Sequence, residues 1–494
     1  MQNPINQHLT LIFIFLLLIS QAVFGAETVS DIDIELPDDL DAMLGSSAPS
    51  RQLLGGYIKN ETAYRFDEPR SFTKIRNSIG LNWQYLPTQK TRFYTSVWAY
   101  YDHVYDLFNY DTIAARNVRD EKEPLVFLEQ LNKEKDDRRT ELRELYLDMY
   151  FDNLDIRIGK QIVVWGVLEG MRIVDEVNPM DFHELITPEL LDYRIPLWTF
   201  KANYYAGKTG YEFIWIPDLV FHQPAARGSE WELFQVLDTT TKPKSFEPEF
   251  SEVGLKVTRE MLDAEISLSY FYTWDDYPTT FRVVSLEDVQ SAEPTQEIPI
   301  FPTYTRMHMF GSTLTKEIRG DILKAEFAYV KNKYFAIVDR YKDGFLTDDG
   351  DVQRDHIRWG VGYDFSFAGA DISPAVSQTI ILNYVSYILT SEFDTTFNLF
   401  VRKPIPKYSA VFSMLFIRLI NFQETYVKPR VTFNLTDHFQ VTLGADFFIG
   451  QRTSFGREAD ASADGGLVTP EQRARFLGNF NENKRVSVEF KYNF

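Results

Sequence analysis

The last ten residues alternate without a break. Val486, Val488, Phe490, Tyr492 and Phe494 fall on one parity, and Arg485, Ser487, Glu489, Lys491 and Asn493 on the other. A period of two sends successive side chains to opposite faces of a strand, so one face is aliphatic and aromatic and the other polar or charged. The code recurs along the chain. Ile75, Ile79, Leu81, Trp83 and Tyr85 oppose Lys74, Arg76, Ser78, Asn82 and Gln84. Ala264, Ile266, Leu268, Tyr270 and Tyr272 oppose Glu265, Ser267 and Ser269, and Ile357, Trp359, Val361, Tyr363 and Phe365 oppose His356, Arg358, Gly360, Gly362 and Asp364. Segments of about ten such residues with aromatic ends are the pattern of a transmembrane β-barrel. In lipid every backbone N–H and C=O must pair within the protein, so a sheet has to close and turn its apolar face outward.

Eighteen segments fit, from 54–66 at the start to 484–494 at the end, with 16 as the alternative count. Short connections at 86–90, 152–155, 206–210, 317–321 and 435–438 alternate with long ones at 103–140, 165–196, 218–249, 275–302, 334–353 and 451–483. That alternation places both termini and the short turns on the periplasmic side and the long loops outside. The spacing within 103–140 also predicts a short amphipathic helix. Two segments depart from the code. Residues 410–415 are apolar on both faces, and Lys160 has lipid-facing parity; a bulge or a local contact in the lumen accounts for either.

Composition narrows the function. Lys plus Arg number 51 against 71 Asp plus Glu, a formal charge of −20, which argues against nucleic acid as a partner. There is no cysteine, and the seven histidines form neither HExxH nor a close pair, so no metal or cofactor is expected. The apolar run Leu9–Ile19 is too short to span a membrane and reads as the core of a cleaved secretory signal, with Gly25 and Ala26 at the cleavage site. The alternatives are a retained anchor or a buried helix. Residues 27–53 carry seven acids and no base before Arg51, which reads as a solvated periplasmic tail or, alternatively, a docking segment or partial plug. The division expected is a signal over 1–26, the acidic segment over 27–53 and the barrel over 54–494.

By strand parity the lumen face carries Lys74, Arg76, Arg92, Arg157, Lys201, Lys256, Arg306, Arg354, Arg358, Lys428, Arg430, Arg485 and Lys491. The acids on it are Glu144, Asp148, Glu252, Glu265, Asp364, Asp446 and Glu489. A net basic wall favours anions in transit, although mutual ion pairs could neutralise it. The segment 165–195 is unusually apolar for a surface loop. Its Trp165, Met171, Ile173, Met180 and Phe182 are expected to fold inward as the apolar side of a constriction opposite that wall, or else to pack on the rim. Catalysis is not expected. The best candidates, His308 and Ser312 with Arg306 beside them, lie four residues apart on a strand, about 13 Å. Asp175, Glu176, Asn178 and Asp181 read as a capped Asn-Pro turn in preference to a Ca²⁺ site.

One stretch is more specific than a generic barrel. GKQIVVWG (159–166), GMRIVDEVNPMDF (170–182), RIPLW (194–198) and WIPD (215–218), with the block 426–450, resemble a domain-of-unknown-function family of porin-like outer-membrane proteins of Gram-negative bacteria. Val167 departs from that pattern, which often has an acid after the Trp-Gly. The resemblance implies a barrel found beside resistance-nodulation-type exporters of hydrophobic compounds, and it carries no catalytic residues. The resulting expectation is a channel of the bacterial outer membrane, set in lipid and lipopolysaccharide. It would pass a small anionic or amphiphilic to hydrophobic solute and work with an inner-membrane pump or a periplasmic carrier. The alternative is a non-conducting barrel acting as an adhesin or as a structural partner in an export complex.

Overall fold

The computed structural model describes residues 51–114, 137–189, 192–226, 228–232, 240–282, 300–337, 341–342, 345–346, 350–451 and 476–494. The signal, the acidic tail before Arg51 and the amphipathic helix expected after residue 114 lie outside the described residues. Two one-turn helices, Val104–Leu107 and Tyr110–Ala114, open the loop that contains that segment.

Alternation builds eighteen strands, and they match the expected segments one for one. In chain order these are β1 Arg51–Arg65, β2 Ser71–Thr88, β3 Thr91–Asp102, β4 Arg138–Tyr150, β5 Leu154–Gln161 and β6 Leu197–Ala206. There follow β7 Thr209–Ile216, β8 Glu252–Met261, β9 Ala264–Trp274, β10 Arg306–Ile318, β11 Asp321–Ala336 and β12 Asp351–Phe367. The last six are β13 Ala370–Ile381, β14 Phe393–Ile405, β15 Ala410–Leu419, β16 Glu424–Asn434, β17 Phe439–Ile449 and β18 Arg485–Asn493. Each strand pairs antiparallel with the next, and β1 pairs with β18 from Tyr57↔Asn493 to Arg65↔Arg485, which closes the sheet and leaves it no edge. β13 starts and ends earlier than the expected 376–390, and β5 stops at Gln161, where the expected strand ran to 164.

The outer face is apolar, with Leu54 70 % exposed and Leu268 63 % exposed, as lipid contact requires. Lys160 does project outward, and its ammonium donates to the Leu142 carbonyl at 2.8 Å near the upper end of β5. The doubly apolar β15 has a different cause. Its inward-facing Leu415, Ile417 and Leu419 pack on a buried cluster of Leu185, Trp231, Tyr426, Phe448, Leu477 and Phe480, contributed by three inward-turned loops and the β16–β17 wall. The lumen is thus partly filled by protein.

Candidate functional site

After β5 the chain turns into the barrel over residues 162–189, and residues 192–196 lead into β6. The first half of this inward segment is apolar: Val163, Trp165, Leu168, Met171, Ile173, Val174 and Val177 are buried against Leu197, Ile214, Ile216, Phe271, Met307, Met309, Ala328 and Val330 of the inner wall. Small residues on the wall make the room. A Cβ on Gly254 would lie 2.6 Å from the Trp165 ring, and one on Gly362 would lie 2.7 Å from Leu168. Loop backbone taken out of water must still be hydrogen-bonded. Glu326 on β11 does this, accepting the N–H groups of Val167, Leu168 and Val174 at 2.6, 2.7 and 3.1 Å.

The four oxygen-bearing residues of the turn are all engaged within the protein. Asp175 accepts the Trp165 N–H at 3.1 Å and pairs with Arg194, while Asn178 accepts the Val163 N–H at 2.7 Å and donates to Ile195 O at 2.7 Å. Glu176 pairs with Arg358 at 2.7 Å and Arg172 at 3.7 Å; although burial opposes it, these cations hold its carboxyl down to about 2. Asp181 pairs with Arg139 and His183. Among the described residues no group of three or more His, Asp or Glu is placed to hold a metal.

The second half of the segment is charged and meets the opposite wall. Glu184 pairs with Lys74 at 2.6 Å, with Arg76, and with Arg485 at 3.8 Å. Glu189 pairs with Lys428 at 2.9 Å. Burial raises the cost of these charges, yet the adjoining cations hold Asp181, Glu184 and Glu189 below the usual carboxylate range. Between this half and the inner faces of β1–β4 and β16–β18 lies a cavity of about 490 Å³. Its lining cations are Lys59, Lys74, Arg76, Arg139, Arg143, Lys428, Arg430 and Arg485; its acids are Glu61, Asp181, Glu184, Glu189, Asp192 and Glu489. Tyr57, Tyr94, Trp98, Tyr100 and Tyr193 add flat apolar surface.

The residues singled out from the sequence separate into groups. Lys74, Arg76 and Arg430 line the cavity. Arg92 and Arg157 sit lower on the same inner face, both 2.6 Å from Asp148, and Arg157 lies 4.0 Å from the centre of the Tyr146 ring. Lys201 is the register partner of Arg157 on β6. Arg358 lies under the loop on Glu176, whereas Arg354 is at the extracellular rim, where it donates to the carbonyls of Asn383 and Gln353 at 2.7 Å.

Arg306 is a correction. It does not face the lumen: its guanidinium lies over the rings of Trp274 and Tyr272, 4.0 and 4.5 Å from their centres, on the outer face of β10. His308 and Ser312 share that outer face, and His308 is hydrogen-bonded to the Tyr270 hydroxyl at 2.9 Å. The inner parity of this strand is Met307, Met309 and Gly311, because the Trp165 loop packs there.

The apolar loop residues also differ from expectation in what they face. Trp165, Met171, Ile173 and Met180 are at most 7 % exposed, so they fasten the loop to the wall and do not line a passage. Phe182 is half-buried, edge-on to His222 and stacked near Tyr277. Burial and Arg172 keep His222 neutral well below its ordinary value, and its Nδ1 accepts the Met180 N–H at 2.8 Å. The sequence reading missed Lys59, Arg139, Arg143, His183 and Glu184. Lys59 shares parity with Tyr57 and Glu61 and was recoverable from alternation; Arg139 fell outside a strand begun too late, and Glu184 lies in a loop without periodicity.

A closed, even-stranded antiparallel barrel, apolar outside and charged within, with both strand ends of its seam on one side, is a transmembrane barrel of the bacterial outer membrane. Residues 64–209 match the family described as protein of unknown function (DUF1302). That stretch includes the blocks at 159–166, 170–182 and 194–198 but not 215–218 or 426–450, so the match is narrower than the resemblance drawn from all five. Comparison with curated proteins gives no match. Similar solved structures include OccAB4 of Acinetobacter baumannii, at 9 % identity and a TM-score of 0.47, with 91 % of this chain and 99 % of that chain covered. OccAB3 of the same organism is 7 % identical, with a TM-score of 0.46 over 90 % and 99 % of the two chains. OccK8 (OprE) of Pseudomonas aeruginosa is 8 % identical, with a TM-score of 0.45 over 90 % and 98 %.

Proposed function

We propose that this barrel is a small-solute channel whose passage runs through the cavity beside residues 181–189 and favours anions that carry an aromatic or apolar body. The observation that carries this reading is the lining itself, in which eight cations face six acids and five large aromatic side chains. Charged constrictions select by sign, and a low-dielectric surround strengthens that selection. Guanidinium groups over tyrosine rings, such as Arg76 4.0 Å from Tyr100, present a cationic edge beside a flat apolar face. A carboxylate on a hydrophobic body satisfies both. An inner-membrane pump or periplasmic carrier would be the next element of the route.

The test is single-channel conductance of the refolded barrel in a planar bilayer, with the reversal potential read in a salt gradient. Anion-selective steps are expected. Cation-selective steps would reject the proposed selectivity, and a silent inserted barrel would favour a scaffold whose loops bind a partner.

A further inference from the structure

Glu184 is a loop residue, yet its carboxylate is buried among three wall cations from two strands: Lys74 at 2.6 Å and Arg76 on β2, and Arg485 at 3.8 Å on β18. Each cation is also steadied by a carboxylate of the wall, Lys74 by Glu61 at 3.4 Å, Arg76 by Asp102 at 3.3 Å and Arg485 by Asp446 at 2.9 Å, so the three are held in place around the one acceptor position that Glu184 fills. That site opens on the cavity, and Arg76 stacks on Tyr100 within it. The two halves of the segment are held differently. The first is packed mainly into apolar wall and bonded to Glu326, Arg358 and Asn398, while the second is held by the carboxylates of Asp181, Glu184 and Glu189 together with the buried Leu185.

We propose that Lys74, Arg76 and Arg485 form the carboxylate-binding site of the channel, and that Glu184 occupies it as an internal stand-in for the solute. A carboxylated solute entering the cavity exchanges with Glu184 at its three cations and releases residues 181–189 from the wall, which widens the passage. The exchange conserves charge, since one carboxylate replaces another while Glu61, Asp102 and Asp446 stay on Lys74, Arg76 and Arg485 throughout. This deepens the channel reading and rests on it for its purpose, although the site itself can be tested without transport.

The probe is benzoate, titrated calorimetrically into the full chain refolded in detergent micelles. A tethered carboxylate competes at a millimolar or higher effective concentration, so Glu184→Ala is expected to bind benzoate about ten- to a hundredfold more tightly than the parent. Glu184→Ala combined with Arg76→Gln should lose that gain. A second measurement keeps Glu184 in place. The chain has no cysteine, so Thr187→Cys gives a single thiol at a position that is 5 % exposed, one turn from Glu184. Benzoate should accelerate its reaction with a maleimide, and sodium chloride at equal ionic strength should not. Unchanged affinity in Glu184→Ala, or a thiol that benzoate leaves protected, overturns the proposal. A barrel that conducts with neither benzoate effect loses only this inference. A silent barrel that shows both keeps the site and loses the channel.

Discussion

The Glu326 carboxylate lies 2.6 Å from the backbone nitrogen of Val167, across 159 residues of sequence, and so ties the inner wall of β11 to the start of the inward segment. The same carboxylate serves Leu168 and Val174, so one side chain satisfies three amides of a segment that Glu212, Lys256, Asn398 and Arg358 also bond to the wall. Replacing it by alanine strands three amide groups away from water. Glu326→Ala is expected to cost about 3 kcal/mol or more in docking of the loop, given the penalty for unsatisfied buried donors. Hydrogen exchange at 163–177 should rise well above that of the flanking strands. Protection unchanged in that window would mean that apolar packing and the remaining wall bonds hold the segment without Glu326.

Trp165 is 1 % exposed and sits where Gly254 leaves space. Trp165→Ala should lower stability by about 3–5 kcal/mol, as large core truncations do. Gly254→Val should push the same ring away from the wall from the opposite side. Thermal unfolding in detergent measures both. A Gly254→Val barrel as stable as the parent would show that the ring is not seated on β8.

Selectivity should depend on cations of the cavity and not on those outside it. Arg139→Gln with Arg143→Gln should lower the anion-to-cation permeability ratio at least about twofold, an effect that shrinks in 1 M salt as the screening length falls to about 3 Å. Arg306→Gln removes a guanidinium stacked on Trp274 and Tyr272 at the lipid-facing surface. It should leave the reversal potential unchanged and cost about 1 kcal/mol of stability. A shift in reversal potential from Arg306→Gln would return that residue to the lumen.

Acid should loosen the loop. Glu176 is held at about 2 when docked, against an ordinary 4.5, and Asp181, Glu184 and Glu189 are depressed in the same direction. A depressed carboxylate contributes its stabilisation in full above its ordinary value and loses it as pH falls through the docked value. Docking should therefore be constant at neutral pH and weaken between pH 4.5 and about 2. Protease sensitivity of 181–189 in micelles reads this directly. Loosening that began instead on raising the pH above 7 would point to a different group.

The barrel was legible because lipid imposes one rule on every strand. Alternation such as Val486 to Phe494 is a direct consequence of an apolar surround, and loop lengths followed from the strand order. The lumen was less legible because its solvent is not uniform. On β10 the inner face is Met307 and Met309 and the outer face Arg306 and His308, since protein fills that side of the lumen and polarity no longer marks the inside. On β15 the same filling made both faces apolar. Glu184, which meets three cations, carries no periodic signature at all; its role depends on where a loop of more than thirty residues returns to the wall.

That return point has a consequence for how the molecule is made. Lys74 and Arg76 belong to the second strand and Arg485 to the last, so the Glu184 carboxylate spans the seam at which the two ends of the sheet meet. A nascent sheet that lacks β18 offers this residue only part of its partners. Sealing of the cylinder therefore adds the third cation to a carboxylate that the second strand can already hold. Chains that seal with the segment left outside would keep Lys74, Arg76 and Arg485 on Glu61, Asp102 and Asp446, but would lack the one carboxylate that joins all three cations across the seam.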